Sequence, residues 1–287
     1  MRFVTYLSER GPRAAGVRDG GYVDLADADA SLPSSVRAIL EAGDHLASRI
    51  EEAVAKGKSI DAGTVALAAP IPDPRKIVCV GLNYADHAHE SGVQPPGEPV
   101  VFNKFPTTLT GHLAPIVLPR VSQEVDYEAE LVVSIGRTAR HVAASQAMSH
   151  VAGYMCGHDV SARDWQLRKE GKQWLLGKSF DTFAPCGPWM VTANEIADPH
   201  NLRVQFRLNG KTLQDSNTNQ FIFQLPTLIE YVSQVCTLEP GDLIFTGTPP
   251  GVGFARKPPV FLQPGDIAEV EIEGLGVLRN PVIAEQT

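Results

Sequence analysis

The stretch Asp126-Tyr127-Glu128-Ala129-Glu130-Leu131-Val132-Val133 drives three carboxylates, on alternating residues, straight into an apolar run. Side chains at i and i+2 of a strand share a face about 6 to 7 Å apart, so Glu128 and Glu130 can grip one cation between them. After Glu130 the run Leu131-Val132-Val133-Ser134-Ile135 stops alternating, the pattern of a strand covered on both faces. Acids at the covered end of such a strand must protonate, find a cation or turn outward. The chain carries its own control. Glu269, Glu271 and Glu273 have the same spacing but alternate cleanly with Ala268, Val270 and Ile272, as in a half-buried strand with a solvated acidic face.

A third oxygen ligand is available in "YMCGHDVSARDWQ". Asp159 follows an apolar segment and precedes a helix start that Ser161 can cap, with Asp164 completing a capping box. Asp159 then projects from a strand end, with a turn or capping aspartate as the competing reading. Carboxylates without thiolate or imidazole partners suit a hard cation, magnesium or manganese, with water completing the shell.

In "GLNYADHAHESG", Asn83 is placed as an N-cap and a short helix starts near Tyr84, which puts His87 and Glu90 on one face. A carboxylate so placed can hold and orient an imidazole for general-base work; a polar surface turn is the alternative. Pro95-Pro96-Gly97 suggests a mobile loop and a lid. Arg163 and Gln166 share a helical face, pointing either to a carbonyl-bearing anion or to solvent. Lys178 interrupts an apolar neighbourhood, either for catalysis or as a snorkelling lysine. The loop "FTGTPPGVG", residues 245 to 253, can present backbone N–H groups and the Thr248 hydroxyl to a carboxylate, but lacks the ending of a nucleotide-binding P-loop.

A net charge of −8 and a pI near 5.5, with no dense basic stripe, exclude a nucleic-acid partner. No run approaches membrane-spanning length, and the N-terminal apolar run is too short for a secretory signal, so the protein is expected in the cytoplasm. Cys79, Cys156, Cys186 and Cys236 are widely spaced and read as reduced thiols.

Short strands around Gly turns at residues 2 to 25 and two helical stripes form a small N-terminal α/β lobe, 1–70. The prolines at 70, 72 and 74 mark its boundary with a larger domain, 75–287. There, Asn209-Gly210 signals a hairpin, and strands with interspersed helices but no regular alternation give an α+β class.

Taken in order, "GLNYADHAHE", "DYEAELVVSIG", "GHDVSARDWQ", "LLGKSFDTFAPCGP" and "FTGTPPGVG" resemble the fumarylacetoacetate hydrolase family over roughly residues 75 to 280. The resemblance implies a β-rich catalytic domain, usually homodimeric, that binds magnesium or manganese and acts on small oxo acids. It implies metal ligation by Glu128, Glu130 and Asp159, catalysis by His87, Glu90 and Lys178, and substrate contacts from Arg163, Gln166 and Thr248. Fumarylacetoacetases proper carry a further metal-ligating Asp where this chain has Gly81-Leu82-Asn83, which favours the shorter acylpyruvase-like branch. The leading expectation is therefore hydrolysis of a carbon–carbon bond in an acylpyruvate, with water activated by His87. Oxaloacetate decarboxylation or tautomerisation is the alternative, and a metal-stabilised binding domain without turnover is the reading from another class.

Overall fold

The computed structural model describes residues 1–90, 92 and 94–286. Its frame is a mixed 12-stranded sheet whose order departs from the chain order. The N-terminal strands Arg2–Ser8, Gly11–Arg18 and Gly21–Asp24 form a meander, turned at Asp19 and Gly20 through positive φ. Arg2–Ser8 then pairs with Ala184–Thr192, and the order continues through Val151–His158, Ala129–Ile135, Leu243–Phe245 and Ile77–Gly81 to an edge at Val100–Lys104. The ladder thus crosses the boundary expected at 70–75, and Thr5 Oγ donates to the Pro70 carbonyl at 2.7 Å, fixing the proline segment against the sheet.

The helices Val36–Ala42 and Ala47–Lys56 cover one side of the N-terminal strands. Ser35 caps the first, its side chain accepting from the Ala38 N–H. The hairpin Arg203–Leu208 with Lys211–Asn217 turns at Asn209 and Gly210, both at positive φ. It belongs to a second, 5-stranded sheet with Ile267–Ile272, Gly276–Ala284 and Ile116–Leu118. In Ile267–Ile272 the residues Ala268, Val270 and Ile272 face the core and the acids face outward. There Glu269 and Glu271 pair with Arg207, so this acidic face is ion-paired as well as solvated.

The strand Ala129–Ile135 is buried at every residue. Leu131, Val133 and Ile135 pack into the core between the two sheets, whereas Val132 packs on the other side with Met155, Phe245 and the N-terminal helices. The doubly covered strand expected from the loss of alternation is present, and the molecule is α+β and β-rich. No helix among the described residues is long and apolar enough to cross a membrane.

Candidate active site and metal centre

Glu128, Glu130 and Asp159 converge. One carboxylate oxygen from each lies within 4.8 Å of the others, and all three residues are buried. Ala129 pairs with His158 across the sheet, and the Asp159 N–H donates to the Glu128 carbonyl at 2.9 Å, so strand register delivers Asp159 to the acids.

Their partners answer how a chain can bury them. Arg163 donates to Asp126 at 2.8 Å and to Glu128 at 2.6 Å. Lys178 bridges Glu128 and Asp159 at 2.7 and 2.8 Å, and Lys104 reaches the other Asp159 oxygen at 2.5 Å. Glu130 accepts the Gly247 N–H at 2.8 Å and forms no salt bridge among the described residues. Burial opposes ionisation of Glu128, but Lys178 and Arg163 outweigh it and hold its carboxyl below the usual range. For Glu130, burial first and then the charges of Asp159 and Glu128 push the carboxyl well above it. Burial lowers the Lys178 pKa, but Asp159 and Glu128 more than restore it.

Four buried acids, Asp126, Glu128, Glu130 and Asp159, thus face three buried cations, Lys104, Arg163 and Lys178. The surplus acid is Glu130, at the point where the three oxygens meet. An all-oxygen donor set with one uncompensated carboxylate fits a hard divalent cation, which leaves the cluster net positive and able to attract an anionic acid.

A cavity of about 140 Å³ opens beside the triad, below the roughly 300–1,000 Å³ typical of sites for drug-sized ligands. His87, Glu128, Glu130, Arg163, Gln166, Lys178 and Thr248 all line it, so seven of the nine residues singled out from sequence meet at one surface. Asp159 is held by Lys178 and does not itself line the cavity. Glu90 stands at the rim, more than a third exposed, with an oxygen 3.6 Å from His87 Nδ1 and accepting the Gly251 N–H at 3.0 Å. His87 Nδ1 is buried and has no hydrogen-bond partner among the described residues. Phe102, Trp174 and Phe254 complete the wall, and Arg163 stacks on Phe254 at 4.5 Å.

Two local expectations give way. Ser161 caps no helix: it lies in the strand Ser161–Ala162, paired with Val125–Asp126, and its hydroxyl donates to the Asp159 carbonyl at 2.9 Å. The segment Asp164–Arg168 that follows is a π-helix, in which Arg163 and Gln166 do share a face, joined at 2.8 Å. The Asn83 side chain does not turn back to cap the helix Ala85–Glu90. It donates to the carbonyls of Phe223 and Thr246 and accepts from the Phe223 N–H, tying the helix base to two loops. The loop expected as a lid, Pro95-Pro96-Gly97, runs along the surface ahead of the strand Val100–Lys104, and none of its three residues lines the cavity.

Three residues of the site went unassigned in the sequence. Lys104 ends an edge strand whose pattern signals a surface lysine, Asp126 opens the acidic stretch with no visible partner, and Gln214 lies in a hairpin arm distant in the chain. Only the fold brings them in.

The model of the fumarylacetoacetate (FAA) hydrolase C-terminal family matches residues 76–283. An oxaloacetate tautomerase of Xenopus laevis, named mitochondrial, is 48% identical over 288 residues, 99% of this chain and 90% of that protein. The human mitochondrial oxaloacetate tautomerase FAHD2A is 50% identical over 92% of this chain and 84% of its own length. Among solved structures, fumarylacetoacetate hydrolase from Exiguobacterium antarcticum superposes with a TM-score of 0.86 at 36% identity, over 99% of this chain and 100% of the other. Maleylpyruvate hydrolase from Sphingobium sp. SYK-6, in complex with manganese(II) and pyruvate, gives 0.83 at 32% identity over all of both chains.

The mitochondrial names of these relatives overturn the cytoplasmic expectation. That expectation rested on the lack of a long apolar leader, a criterion for secretion that is blind to amphipathic, arginine-rich mitochondrial targeting segments. The matched model, the near full-length relatives and the superposed folds agree: this chain belongs to the fumarylacetoacetate hydrolase family.

Proposed function

We propose that the protein is an oxaloacetate tautomerase, moving a proton between C3 and the 2-oxo oxygen of the acid in a site served by magnesium or manganese. The observation that carries this reading is the small cavity lined by His87, Lys178 and two of the three converging carboxylates, Glu128 and Glu130, in a chain about half identical to named oxaloacetate tautomerases. Hydrolysis, the leading expectation from sequence, receives less support from those relatives than this alternative does.

Glu128, Glu130 and Asp159 would hold the cation. When bound, it supplies positive charge against the negative charge that the substrate oxygens carry. Lys178 adds a second positive charge at the cavity wall, where an enolate oxygen gains most from it. Arg163 is held by Asp126 and Glu128 and in turn orients Gln166, whose amide is presented to the substrate. His87 is the group we assign to C3. In the enol-to-keto direction it delivers a proton to C3 while the enol hydroxyl releases one to solvent at the cavity mouth, from which His87 is reprotonated, so the product is the isomer and no water is consumed. The narrow, partly aromatic cavity limits the water that competes for that proton.

Hydrolysis of acylpyruvates stands second, favoured by the 3.6 Å approach of Glu90 to His87 and by the superposition with maleylpyruvate hydrolase. Enol-oxaloacetate, followed by the loss of its ultraviolet absorbance with manganese and after chelation, tests the first reading. Acceleration without release of pyruvate supports it; pyruvate formed from acylpyruvates, with no effect on the enol, replaces it with hydrolysis. Manganese uptake without turnover of any oxo acid would leave only a binding domain.

A further inference from the structure

The strand Lys211–Asn217 belongs to the second sheet and contributes none of the residues described above as lining the cavity, yet it carries a register shift. Arg207 pairs with Thr212 and Phe206 with Gln214, so Leu213 is the extra residue of a β-bulge. Without it, Gln214 would share the outward face of Thr212. With it, Gln214 shares the inner face with Phe206, which stacks on Tyr127 at 4.3 Å, and only 1% of the glutamine is exposed.

The buried carboxamide is fully engaged, and each partner belongs to the site. Its oxygen accepts the N–H of Ala129, the residue between Glu128 and Glu130, at 2.9 Å. Its nitrogen donates to the Thr248 hydroxyl at 2.9 Å and to the Pro249 carbonyl at 2.8 Å. Thr248 Oγ in turn donates to the Ala129 carbonyl at 3.0 Å. A hydroxyl has one proton to give, so that of Thr248 is spent inside the protein, and a substrate carboxylate must be met by loop N–H groups other than those of Gly247, Gly251 and Gly253, which already serve Glu130, Glu90 and Asp126. The bulge also seats that loop directly. Arg256 donates to the Leu213 carbonyl, and a Cβ on Gly251, at φ +99°, would come 2.2 Å from that oxygen.

We propose that Gln214, turned inward by the bulge at Leu213, is a positioning residue that sets the Thr248 loop against the Glu128–Glu130 strand, so that the carboxylate subsite and the cation site keep one fixed separation. The part concerning substrate rests on the oxo-acid reading; the part concerning the cation does not.

The test compares wild type, Gln214→Leu, Thr248→Val and the double variant, by kcat and KM for oxaloacetate and by calorimetry of manganese binding. Gln214→Leu is expected to raise KM about tenfold, the size of one lost hydrogen-bond contribution. It is also expected to weaken manganese binding about tenfold, as loss of an outer-shell partner does. Because Gln214 acts through Thr248, the double variant should raise KM little beyond the larger single effect. Gly251→Ala, which pushes the loop off the bulge and leaves Gln214 intact, should raise KM in the same direction, and serves if Gln214→Leu does not fold. Wild-type KM and manganese affinity in Gln214→Leu, multiplying effects in the double variant, or a wild-type KM in Gly251→Ala would overturn the proposal. Loss of manganese affinity in Gln214→Leu from a protein that turns over no oxo acid would uphold the positioning role and sink the tautomerase reading instead.

Discussion

At the scale of single residues, Glu130 and His87 separate holding a cation from moving a proton. Glu130 is the surplus acid, so Glu130→Gln removes the one carboxylate that the protein's own cations leave uncompensated. Manganese binding should weaken by more than the roughly 10–100-fold that outer-shell changes cost, read by calorimetry, and an unchanged isotherm would remove the metal centre. His87→Ala leaves the carboxylates in place and should lower kcat for enol-oxaloacetate by about 10²- to 10⁴-fold while manganese affinity holds. The acids were legible because period two puts Glu128 and Glu130 on one face and the broken alternation marks that face as covered. Lys104 was not legible, because its burial follows from the position of its strand in the sheet and its partner Asp159 is 55 residues away.

Elements position these side chains through contacts that no local pattern encodes. Ser216, on the same strand as Gln214, donates to Asp86 at 2.5 Å and holds the first turn of the helix Ala85–Glu90 that carries His87. Ser216→Ala should therefore lower kcat severalfold with little change in manganese affinity, the reverse emphasis of Gln214→Leu; equal losses in both measurements would argue that the whole strand had shifted. The hairpin itself was legible, since Asn-Gly between alternating apolar residues has few other uses, whereas its bulge was not. The meander of N-terminal strands offers a pH test. Burial raises the Asp24 pKa, but two bonds from Arg13, one from Tyr6 and the Asp27 N–H outweigh it and leave it lowered. The unfolded chain then binds this proton more readily. The contribution is complete above the ordinary carboxyl range and fades as pH falls through the lowered value. Asp24→Asn should destabilise the neutral protein by about 3 kcal/mol and flatten the acid limb of its stability curve, measured by urea unfolding from pH 7 down to 3. A variant with the acid limb unchanged would show that Asp24 carries none of it.

On the scale of the whole molecule, the boundary at 70–75 divides the chain by sequence, and we propose that it does not divide the fold into independently stable parts. Phe3, Leu25, Val36, Ile39 and Ile50 pack in one cluster with Cys79, Val132, Met155 and Phe245. Val132 lies two residues beyond Glu130 on the same face, Met155 is in the strand that ends at His158, and Phe245 precedes the loop of Gly247 and Thr248. The N-terminal helices thus cover the far end of the face whose near end holds the acids. Each such side chain contributes about 1.5–3 kcal/mol when buried, against a total stability of about 5–15 kcal/mol, so uncovering several together exceeds what the remainder can sustain. A chain of residues 75–287 alone is expected to show no cooperative thermal transition and no manganese uptake. Met155→Ala in the intact chain, a milder version costing about 2–5 kcal/mol, should lower the single melting transition without splitting it. A sharp melt and wild-type manganese affinity in the 75–287 fragment would instead mean that the strand bearing Glu128 and Glu130 keeps its register without the N-terminal helices, and that their cover contributes nothing to the site.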